Sequence, residues 1–315
     1  MFVIDGLLAW PWESAVVTMG AFDGVHLGHA ALLERTVAVA SQRDWRPVVL
    51  TFEPHPDRVL RPGQEPALLT TAQEKAALIG RFEIWALVRA RFDQRLAEME
   101  PADFVRRVLA GRLGARHLVV GHRARFGKDG RGDLALLREV GASVGLEVEC
   151  VGPVLVDGEE PSSTLIRELL LAGEVARANC LLGRAYELRG EVVAGEGRGR
   201  RLGFPTANLA VSGERLVPAV GVYVGLARWD ELLHLAVVNI GRRPTFGGGP
   251  LVIEAFVPGF EGELYGREMA VRFLARLRGE RRFPDAGALV AQMARDVAEA
   301  RQTLASLQGR GDVLE

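Results

Sequence analysis

Gly20-Ala-Phe-Asp-Gly-Val-His-Leu-Gly-His29 is the stretch of sequence that decides the first half of the fold. It follows an apolar run, Ala15–Met19, and precedes a segment of helical apolar periodicity that starts at Ala30. This pattern predicts a strand, a glycine-rich turn and the first turn of a helix. The glycines let the backbone turn sharply and let a ligand approach closely, and helix N-termini favour anions. The segment therefore predicts a phosphate site, with three glycines in it: Gly20, Gly24 and Gly28.

His26 and His29 stand three residues apart at the predicted helix start, a spacing that places both side chains on one helix face. Two imidazoles beside a helix N-terminus can donate hydrogen bonds to a phosphate. Two other interpretations stay open, because the pair could ligate a metal ion or could be incidental to a glycine-rich turn. We favour phosphate because no convincing third metal ligand lies nearby and the flanking glycines suit a phosphate better.

The length and composition indicate a globular protein of two domains. The chain has 315 residues, against about 100–200 residues per domain. Its 48% hydrophobic and 25% charged residues are ordinary values for a globular protein. A net charge of −1 gives no sign of nucleic-acid or anionic-membrane binding.

Targeting signals and a disulfide framework are not expected. The first twelve residues have no basic region, and no run of about eighteen apolar residues occurs. We therefore expect neither a signal peptide nor a membrane span, and a cytoplasmic protein. The two cysteines, Cys150 and Cys180, lie in apolar neighbourhoods and are predicted to be buried thiols.

The first half alternates short apolar runs with helical segments. The apolar runs after residues 15–19 cover 47–52, 84–88, 117–121 and 146–151. The helical segments cover 30–43, 72–82, 101–113 and 133–143. This alternation predicts a doubly wound α/β sheet, whose ligands bind at the carboxyl ends of the strands. Residues 20–29 lie at one such end.

Three further polar segments are candidates for the same site. Phe52-Glu-Pro-His-Pro56 and Gly121-His-Arg-Ala-Arg-Phe-Gly127 each follow a predicted strand, and Ser162-Ser-Thr-Leu-Ile-Arg167 begins a helix. A rigid proline turn would explain the first, and an ordinary helix cap explains the serines and threonine of the third. The cap does not explain Arg167, whose planar, permanently charged fork suits a phosphate.

These segments carry a resemblance to a known family. His26-Leu-Gly-His29 resembles the signature of the HxGH nucleotidyltransferases, and residues 20–29 and the three polar segments resemble bacterial bifunctional riboflavin kinase/FAD synthetases. The resemblance implies a Rossmann-like domain in which the phosphate of FMN attacks the α-phosphate of ATP. It implies that His26, His29 and Arg167 are catalytic. It also implies a set of substrate-binding residues: Gly20, Phe22, Asp23, Gly24, Gly28, His55, Phe126, Gly127, Ser163 and Thr164.

Two residues depart from the family pattern. Arg123 stands where Asp or Asn is usual, and Ala124 stands where Phe is usual. A cation near two phosphates could strengthen binding or misplace the attacking oxygen, and the loss of an aromatic removes a surface for a flavin ring. Adenylyl transfer could therefore be weakened or redirected to another acceptor.

Composition changes after residue 182, where short alternating runs replace the helical periodicity. The runs cover 186–193, 221–227, 232–240, 252–257 and 269–277, and glycine-rich links separate them. In the last run, Met269, Val271, Phe273, Ala275 and Leu277 are predicted to share one face. Five or six such strands predict a small antiparallel barrel. A helix from about Asp285 follows, with a predicted buried stripe of Leu289, Met293, Val297, Ala300, Leu304 and Leu307.

Gly203-Phe-Pro-Thr-Ala-Asn208 is the most specific segment of this half. Thr206 and Asn208 offer oxygen atoms at a strand start that Pro205 makes rigid. Such hard ligands suit Mg²⁺, which keeps its phosphate partners. A proline-led turn with a threonine in the strand is the alternative interpretation.

The second half resembles the riboflavin kinase domain of the same family. The motifs that carry this resemblance are residues 199–209, 239–246, 264–266, Glu254 and the final helix. It implies that Glu254 takes the proton from the flavin 5′-hydroxyl, and that the 195–203 loop covers the phosphates of ATP. The substrate-binding residues that it implies here are Gly199, Arg200, Gly203, Pro205 and Asn239, with Thr206 and Asn208 on the metal.

The prediction is a bifunctional enzyme with an adenylyltransferase domain at 1–182 and a kinase domain at 183–315. Its substrates and products are riboflavin, FMN, FAD and ATP, with Mg²⁺ as cofactor and no nucleic-acid or membrane partner. Two alternatives remain: a riboflavin kinase whose first domain adenylylates poorly, and a non-catalytic regulator that binds flavin or nucleotide.

Overall fold

The computed structural model describes residues 1–7, 14–195, 199, 202–242 and 251–309. The chain divides into two compact units, Met1–Pro161 and Ser162–Glu315.

The first unit is built on a six-stranded parallel sheet. Its strands are β1 Phe2–Asp5, β2 Ala15–Met19, β3 Arg46–Glu53, β4 Ala86–Arg91, β5 Ala115–Gly121 and β6 Glu147–Val151. Their spatial order is β1-β4-β3-β2-β5-β6, with every neighbouring pair parallel. The order reverses beside β2, because β3 lies on one side of it and β5 on the other. Ligands of open α/β sheets bind at such a switch point, outside the carboxyl ends of the strands.

Helices connect the parallel strands, as a parallel sheet requires. They are α1 Leu27–Arg43, α2 Pro56–Leu60, α3 Ala72–Ile79, α4 Gln94–Ala97, α5 Pro101–Asp103, which continues as a π-helix over Phe104–Arg112, and α6 Leu134–Ser143. Alternate residues of the strands pack into different clusters: Val48 and Leu50 belong to the cluster that includes Phe104, while Val49 belongs to the cluster that includes Leu33 of α1. Both faces of the sheet are therefore buried, which explains the unbroken apolar runs in the sequence.

The doubly wound sheet predicted from the sequence is confirmed. The runs at 47–52, 84–88, 117–121 and 146–151 fall within or beside β3, β4, β5 and β6. β1 was not predicted, because this strand has four residues and its side chains are largely exposed, with Phe2 60% exposed. Such a strand shows neither a buried run nor an alternating pattern.

The second unit starts with two helices, α7 Ser163–Ala172 and α8 Val175–Leu182, and continues as a closed antiparallel barrel. The barrel strands are β7 Tyr186–Val193, β8 Thr206–Val211, β9 Gly221–Trp229, β10 Leu232–Arg242, β11 Leu251–Phe256 and β12 Glu268–Arg278. Their order around the barrel is β10-β11-β8-β7-β12-β9. The last helix, α9 Ala286–Gly309, contacts β9, β10 and β12. The predicted barrel with a C-terminal helix is confirmed.

Buried hydrogen bonds join the helix pair α7–α8 to the barrel. Asn179 of α8 donates from Nδ2 to the carbonyl of Phe273 at 2.8 Å, and its Oδ1 accepts from the backbone N–H of Tyr186 at 2.8 Å. The N–H of Ala219 donates to the carbonyl of Leu170 at 2.9 Å. These contacts explain why the compact units divide at Pro161, some twenty residues before the boundary predicted at 182/183.

The face predicted for β12 holds only for its first half. Met269, Val271 and Phe273 are fully buried, but a register shift against β9 follows between Phe273 and Ala275. Leu277 then packs with Leu274 and α9. A β-bulge inserts an extra residue and so breaks the alternation on which the prediction rested.

The predicted stripe of α9 is also divided. Ala300, Leu304 and Leu307 pack on the barrel, whereas Leu289, Met293 and Val297 line a cavity. The prediction of buried cysteines is wrong for Cys180, which is exposed on α8, and Cys150 is half-buried. Among the residues described, no helix is long and apolar enough to cross a membrane.

Candidate active sites

Residues 20–29 leave the carboxyl end of β2 at the point where the strand order reverses. The N–H of Gly20 donates to the carbonyl of Leu50 at 3.1 Å, so the segment starts close to β3. Phe22 and Val25 have left-handed backbones, with φ of 51° and 40°. Such a backbone is costly for a bulky or β-branched residue and persists only where packing imposes it. Both side chains are buried, and both belong to the hydrophobic cluster that includes Leu33 of α1.

Asp23 fixes the turn to the loop before α3. Its carboxylate is 3% exposed and accepts hydrogen bonds from the N–H of Leu69 at 3.0 Å, the N–H of Thr70 at 2.9 Å and the hydroxyl of Thr70 at 3.1 Å. The same hydroxyl accepts from the N–H of Gly24 at 3.0 Å. Asp23 and Phe22 therefore have structural roles, because both side chains are buried among residues of the same unit. Their predicted contact with substrate stays a prediction.

The two histidines lie against each other at the start of α1. His26 is the N-cap, with an extended backbone, so it lies just before the helix rather than on its first turn as the sequence predicted. Its Nδ1 accepts from the N–H of His29 at 3.4 Å, and the two rings stack at 3.7 Å between centroids. A neutral ring that accepts at Nδ1 carries its proton on Nε2, which is then a donor. A Cβ at Gly28 would come within 3.1 Å of the His26 ring, which explains this glycine.

Lys75 is a buried residue of this region that sequence reasoning missed. It is 5% exposed, its Nζ donates to the carbonyl of Ala21 at 3.1 Å, and it pairs with Glu53 at 3.5 Å. Burial lowers the pKa of the Lys75 ammonium from its usual 10.5, and the carboxylates of Glu53 and Asp23 oppose that shift. Nothing in the sequence distinguished Lys75 from a solvent-facing lysine of an amphipathic helix.

The loops after β3 and β5 are held by their own contacts. His55 is the N-cap of α2, and its Nδ1 accepts from the N–H of Asp57 at 3.3 Å. Phe126 is buried against Phe104, with ring centroids 5.7 Å apart. Gly127 has a φ of 68°, and a Cβ there would come within 2.7 Å of Pro101. Phe126 and Gly127 therefore shape this loop, and direct contact of either with a ligand stays a prediction.

The two residues that depart from the family pattern have local partners. Arg123 pairs with Glu160, which also contacts Nε2 of His122 at 3.3 Å. Ala124 is partly buried against the cluster around Phe104. The extra cation is thus balanced by a carboxylate of the same unit, so it need not disturb a bound phosphate.

Ser163, Thr164 and Arg167 lie on the first two turns of α7 in the second unit. The cap itself is Ser162, whose hydroxyl accepts from the N–H of Leu165 at 3.2 Å. Helix capping alone therefore accounts for Ser162. Thr164 is exposed and Arg167 is half-buried. Roles for these three in phosphate binding stay a prediction.

In the barrel, strand pairing aligns the predicted kinase residues. Asn208 of β8 is the register partner of Glu254 of β11, and Glu254 is the partner of Asn239 of β10. Directly paired residues project to the same side of a sheet. Asn239 Nδ2 donates to Glu254 Oε2 at 3.4 Å, and Thr206 lies two residues before Asn208 on the same face. The structure brings these four side chains together.

Two glycines lie close to the row formed by Thr206, Asn208, Glu254 and Asn239. A Cβ at Gly195 would collide with the Asn208 amide, and a Cβ at Gly199 would collide with the carbonyl of Phe204 and reach 3.4 Å from the Thr206 hydroxyl. Gly203, before the exposed Pro205, has a φ of 83°, which only glycine adopts readily. Several residues of the predicted motifs lie outside the described residues: 196–198, Arg200 and Arg201 of the 195–203 loop, and 243–246 of the 239–246 motif.

Two cavities meet at Thr206 and Asn208. The larger, ≈ 390 Å³, lies between the barrel and α9 and has Glu254, Asn239 and Arg278 in its wall. Its apolar lining comes from the barrel, from α9 and from the link between them: Val222, Val237, Val252, Phe256, Phe283, Leu289, Met293 and Val297. The smaller, ≈ 110 Å³, lies under the 260–265 loop. The larger volume suits a small organic molecule, and the arrangement allows two substrates to meet at the row.

The donor set at this meeting point fits magnesium. Thr206, Asn208 and Glu254 offer hydroxyl, amide and carboxylate oxygens, which Mg²⁺ prefers together with substrate phosphates. No group of three or more His, Cys, Asp or Glu side chains that could hold a metal occurs in the described part of the chain.

Comparisons with known proteins divide the chain in the same way. A family model described as FAD synthetase matches residues 9–165, and one described as riboflavin kinase matches residues 182–304.

Curated relatives match over nearly their whole length. The bifunctional riboflavin kinase/FMN adenylyltransferase of Pseudomonas fluorescens is 39% identical over 92% of this chain and 93% of its own. The proteins of the same name from Listeria monocytogenes and Escherichia coli are 34% and 35% identical over 95% of this chain, covering 95% and 96% of their own.

A solved structure from Streptococcus pneumoniae, titled as a macrolide-efflux protein, superposes with a TM-score of 0.86 at 29% identity. The match covers 96% of this chain and 99% of that one. The efflux activity in its title has no counterpart in the names of the curated relatives. By its two family models and its curated relatives, the chain belongs to the bifunctional riboflavin kinase/FMN adenylyltransferases.

Proposed function

We propose that this chain phosphorylates riboflavin to FMN in its second unit and adenylylates FMN to FAD through the residues that match the FAD synthetase model. The observation that carries the first activity is the row of Asn208, Glu254 and Asn239 beside a cavity of ≈ 390 Å³. The second rests on residues 20–29, which lie at the switch point of a parallel sheet.

In the kinase step, Glu254 is the general base. Its carboxylate takes the proton of the riboflavin 5′-hydroxyl, whose oxygen attacks the γ-phosphate of ATP while the bond to ADP breaks. Asn239, 3.4 Å from Oε2, holds the carboxylate in place. Thr206 and Asn208 would hold Mg²⁺, which neutralises phosphate charge when it is bound. Gly195, Gly199 and Gly203 leave space for the phosphates, and we propose that Arg200 contributes a charge there.

In the adenylyl step, a phosphate oxygen of FMN attacks the α-phosphate of ATP and pyrophosphate leaves. His26 and His29 donate hydrogen bonds to charge that develops on the phosphates, with Nε2 of His26 as one donor. The backbone of Gly20, Gly24 and Gly28 lets the nucleotide approach. Arg167, Ser163 and Thr164 are proposed to bind the leaving phosphates, and His55 to contact substrate, on the strength of their motifs.

The functional domains are proposed to be 1–182 and 183–315, although α7 and α8 pack on the barrel. Expressing residues 183–315 alone and measuring FMN formation tests that boundary. The ATP requirement of both reactions favours a cytoplasmic location, and all proposed partners are small molecules.

Incubation of the purified protein with riboflavin, ATP and Mg²⁺, followed by separation of the flavins, tests the proposal. We expect FAD, with FMN as an intermediate and pyrophosphate as a product. FMN alone would instead support a riboflavin kinase without adenylyl transfer, and unchanged riboflavin would leave only a binding protein. Chelation of Mg²⁺ should abolish FMN formation.

A further inference from the structure

Lys75 is a buried cation beside the proposed adenylyl site. It lies in the first turn of α3, and its residue surface is 5% exposed. Both circumstances are unfavourable for an ammonium group, because burial penalises a charge and the dipole at a helix start repels a cation. Stability alone therefore does not explain a lysine at this position.

The composition of the chain makes this lysine unusual. Of the 39 lysine and arginine residues, only Lys75 and Lys128 are lysines. An arginine stays charged and spreads five N–H groups over a planar fork, whereas a lysine ends in one compact ammonium group. A buried lysine in so arginine-rich a chain indicates a position that accepts the slimmer cation and not a guanidinium.

The Lys75 ammonium joins two of the candidate substrate segments. Its Nζ donates to the carbonyl of Ala21, within residues 20–29, at 3.1 Å. The same Nζ lies 3.5 Å from Oε2 of Glu53, the last residue of β3 and part of the 52–56 segment. One cation therefore holds together the segments that follow two neighbouring strands of the sheet.

The Ala21 carbonyl is anchored from two sides. The hydroxyl of Thr51 on β3 donates to it at 3.1 Å, beside the donation from Nζ of Lys75. Ala21 precedes His26 and His29 on the same segment, so the anchor helps to set where the two imidazoles lie. A displacement of about 1 Å in such a group can lower a rate by about 10²-fold.

We propose that Lys75 is a positioning residue for adenylyl transfer, whose protonated ammonium holds residues 20–29 against the carboxyl end of β3. The inference rests on the proposed adenylyltransferase function and deepens it, because it names a residue that keeps His26 and His29 in place. Lys75 acts through the segment and takes no part in making or breaking bonds.

Lys75→Met tests the inference, because it keeps the length of the side chain and removes the charge. The variant should fold with an unfolding free energy close to that of wild type, since no cation is buried and Glu53, whose side chain is 38% exposed, is left to solvent. The kcat of FAD synthesis from FMN should still fall about 10- to 100-fold, with the KM for ATP and for FMN within about threefold. A lysine with a purely structural role would give a less stable protein with an unchanged kcat.

Two controls accompany this variant. Riboflavin phosphorylation by the same protein should be unchanged, because the second unit carries that proposed site. Arg35→Met is the matched substitution, since Arg35 of α1 is also a cation paired with a carboxylate of the first unit, Glu149 at 2.5 Å, and lies outside the candidate segments. It should leave the kcat of FAD synthesis within about twofold of wild type.

A pH profile tests the charge itself while Lys75 is retained. Burial lowers the pKa of the Lys75 ammonium, and the Arg89 guanidinium of β4 lowers it further. The carboxylates of Glu53 and Asp23 raise it. Because the protonated form is required, kcat should fall as pH rises through this pKa. Glu53→Gln removes a carboxylate that raises the pKa, so the fall should begin at a lower pH than in wild type.

Three results would overturn the inference: a kcat in folded Lys75→Met within about threefold of wild type, a rise in KM with kcat unchanged, or the same alkaline fall in wild type and Glu53→Gln. Each of them leaves FAD synthesis by the wild type intact, so the proposed function survives. If Lys75→Met does not fold, the pH profiles decide alone. A wild type that forms no FAD from FMN would overturn the proposed adenylyl function and this inference together.

Discussion

The proposed site residues of the two units are positioned by different elements, a loop in the first unit and paired strands in the second. In the first unit, a loop after β2 carries the motif, and much of the motif is used to hold the loop: Phe22 packs in the core and Asp23 accepts three hydrogen bonds. In the second unit, Asn208, Glu254 and Asn239 project from paired strands, and the barrel itself sets their spacing.

In the first unit the same residues contribute to stability and to the proposed function, whereas in the second unit different residues do so. Loop residues such as Asp23 serve both, because the conformation of residues 20–29 depends on them. In the barrel, Glu254 lies on β11 between Ile253 and Ala255. These two flanking residues are the ones that are buried. Substitutions in the loop should therefore reduce stability and activity together, whereas those in the row should reduce activity with little loss of stability.

Glu254→Gln should give the largest effect. Removal of the general base should lower FMN formation by about 10²–10⁴-fold, since the amide cannot take the proton. FMN supplied from outside should still be converted to FAD at the wild-type rate, and the unfolding free energy should stay close to that of wild type. Separation of flavins after incubation with riboflavin or FMN gives both rates. Normal FMN formation in this variant would exclude Glu254 as the base.

His29→Ala should give the reverse pattern with a slightly smaller effect. Loss of one donor to developing charge typically costs about 10²–10³-fold in rate, so FAD synthesis from FMN should fall by that amount. Phosphorylation of riboflavin should be unchanged. If FAD forms at the normal rate, the paired histidines have no part in catalysis.

Asp23→Ala tests the dual role of the loop. The N–H groups of Leu69 and Thr70 would be left buried without their acceptor, and we expect a loss of about 2–4 kcal/mol in the free energy of unfolding of the first unit. FAD synthesis should fall with it, while kinase activity persists. Denaturant unfolding followed by fluorescence measures the change. A stable variant that has lost only FAD synthesis would instead give Asp23 a direct role with substrate.

The smallest expected effect is on stability, and it concerns a network of charged residues on α1, β5 and β6. His117 contacts Glu147 at 3.2 Å and Glu149 at 3.1 Å, and Arg35 of α1 pairs with Glu149 at 2.5 Å. The hydrogen bond from Arg35 holds the pKa of the Glu149 carboxyl below its usual 4.5, and burial opposes it. Because the folded-state pKa is lowered, the stabilisation is present above pH 4.5 and is lost as pH falls through the folded-state pKa.

Glu149→Gln should therefore flatten the dependence of stability on pH below 4.5. The difference should reach about 0.5–1 kcal/mol, since the pair is partly exposed and solvent screens it. Unfolding curves of wild type and variant over that range give the slopes. Parallel slopes would mean that Arg35 does not stabilise the carboxylate.

Sequence reasoning predicted the fold correctly where a local pattern carried the information, and it also supplied most of the proposed site residues, which stay predictions. The sheet followed from apolar runs, and Thr206, Asn208 and Glu254 from motifs. It did not recover Lys75 or the β12 bulge, because burial of a lysine and a register shift depend on distant partners such as Glu53 and Val222. It also could not tell that Phe22 and Asp23 face inward, since a motif records identity and not direction.

The central claim is that two independent sites act on one flavin in succession, and mixing the Glu254→Gln and His29→Ala variants tests it directly. With riboflavin, ATP and Mg²⁺, the first variant alone should form almost no FMN and the second alone should stop at FMN. The mixture should form FAD, because FMN released by one protein is the substrate of the other. A mixture that forms no FAD, while each variant keeps its remaining activity, would contradict the account.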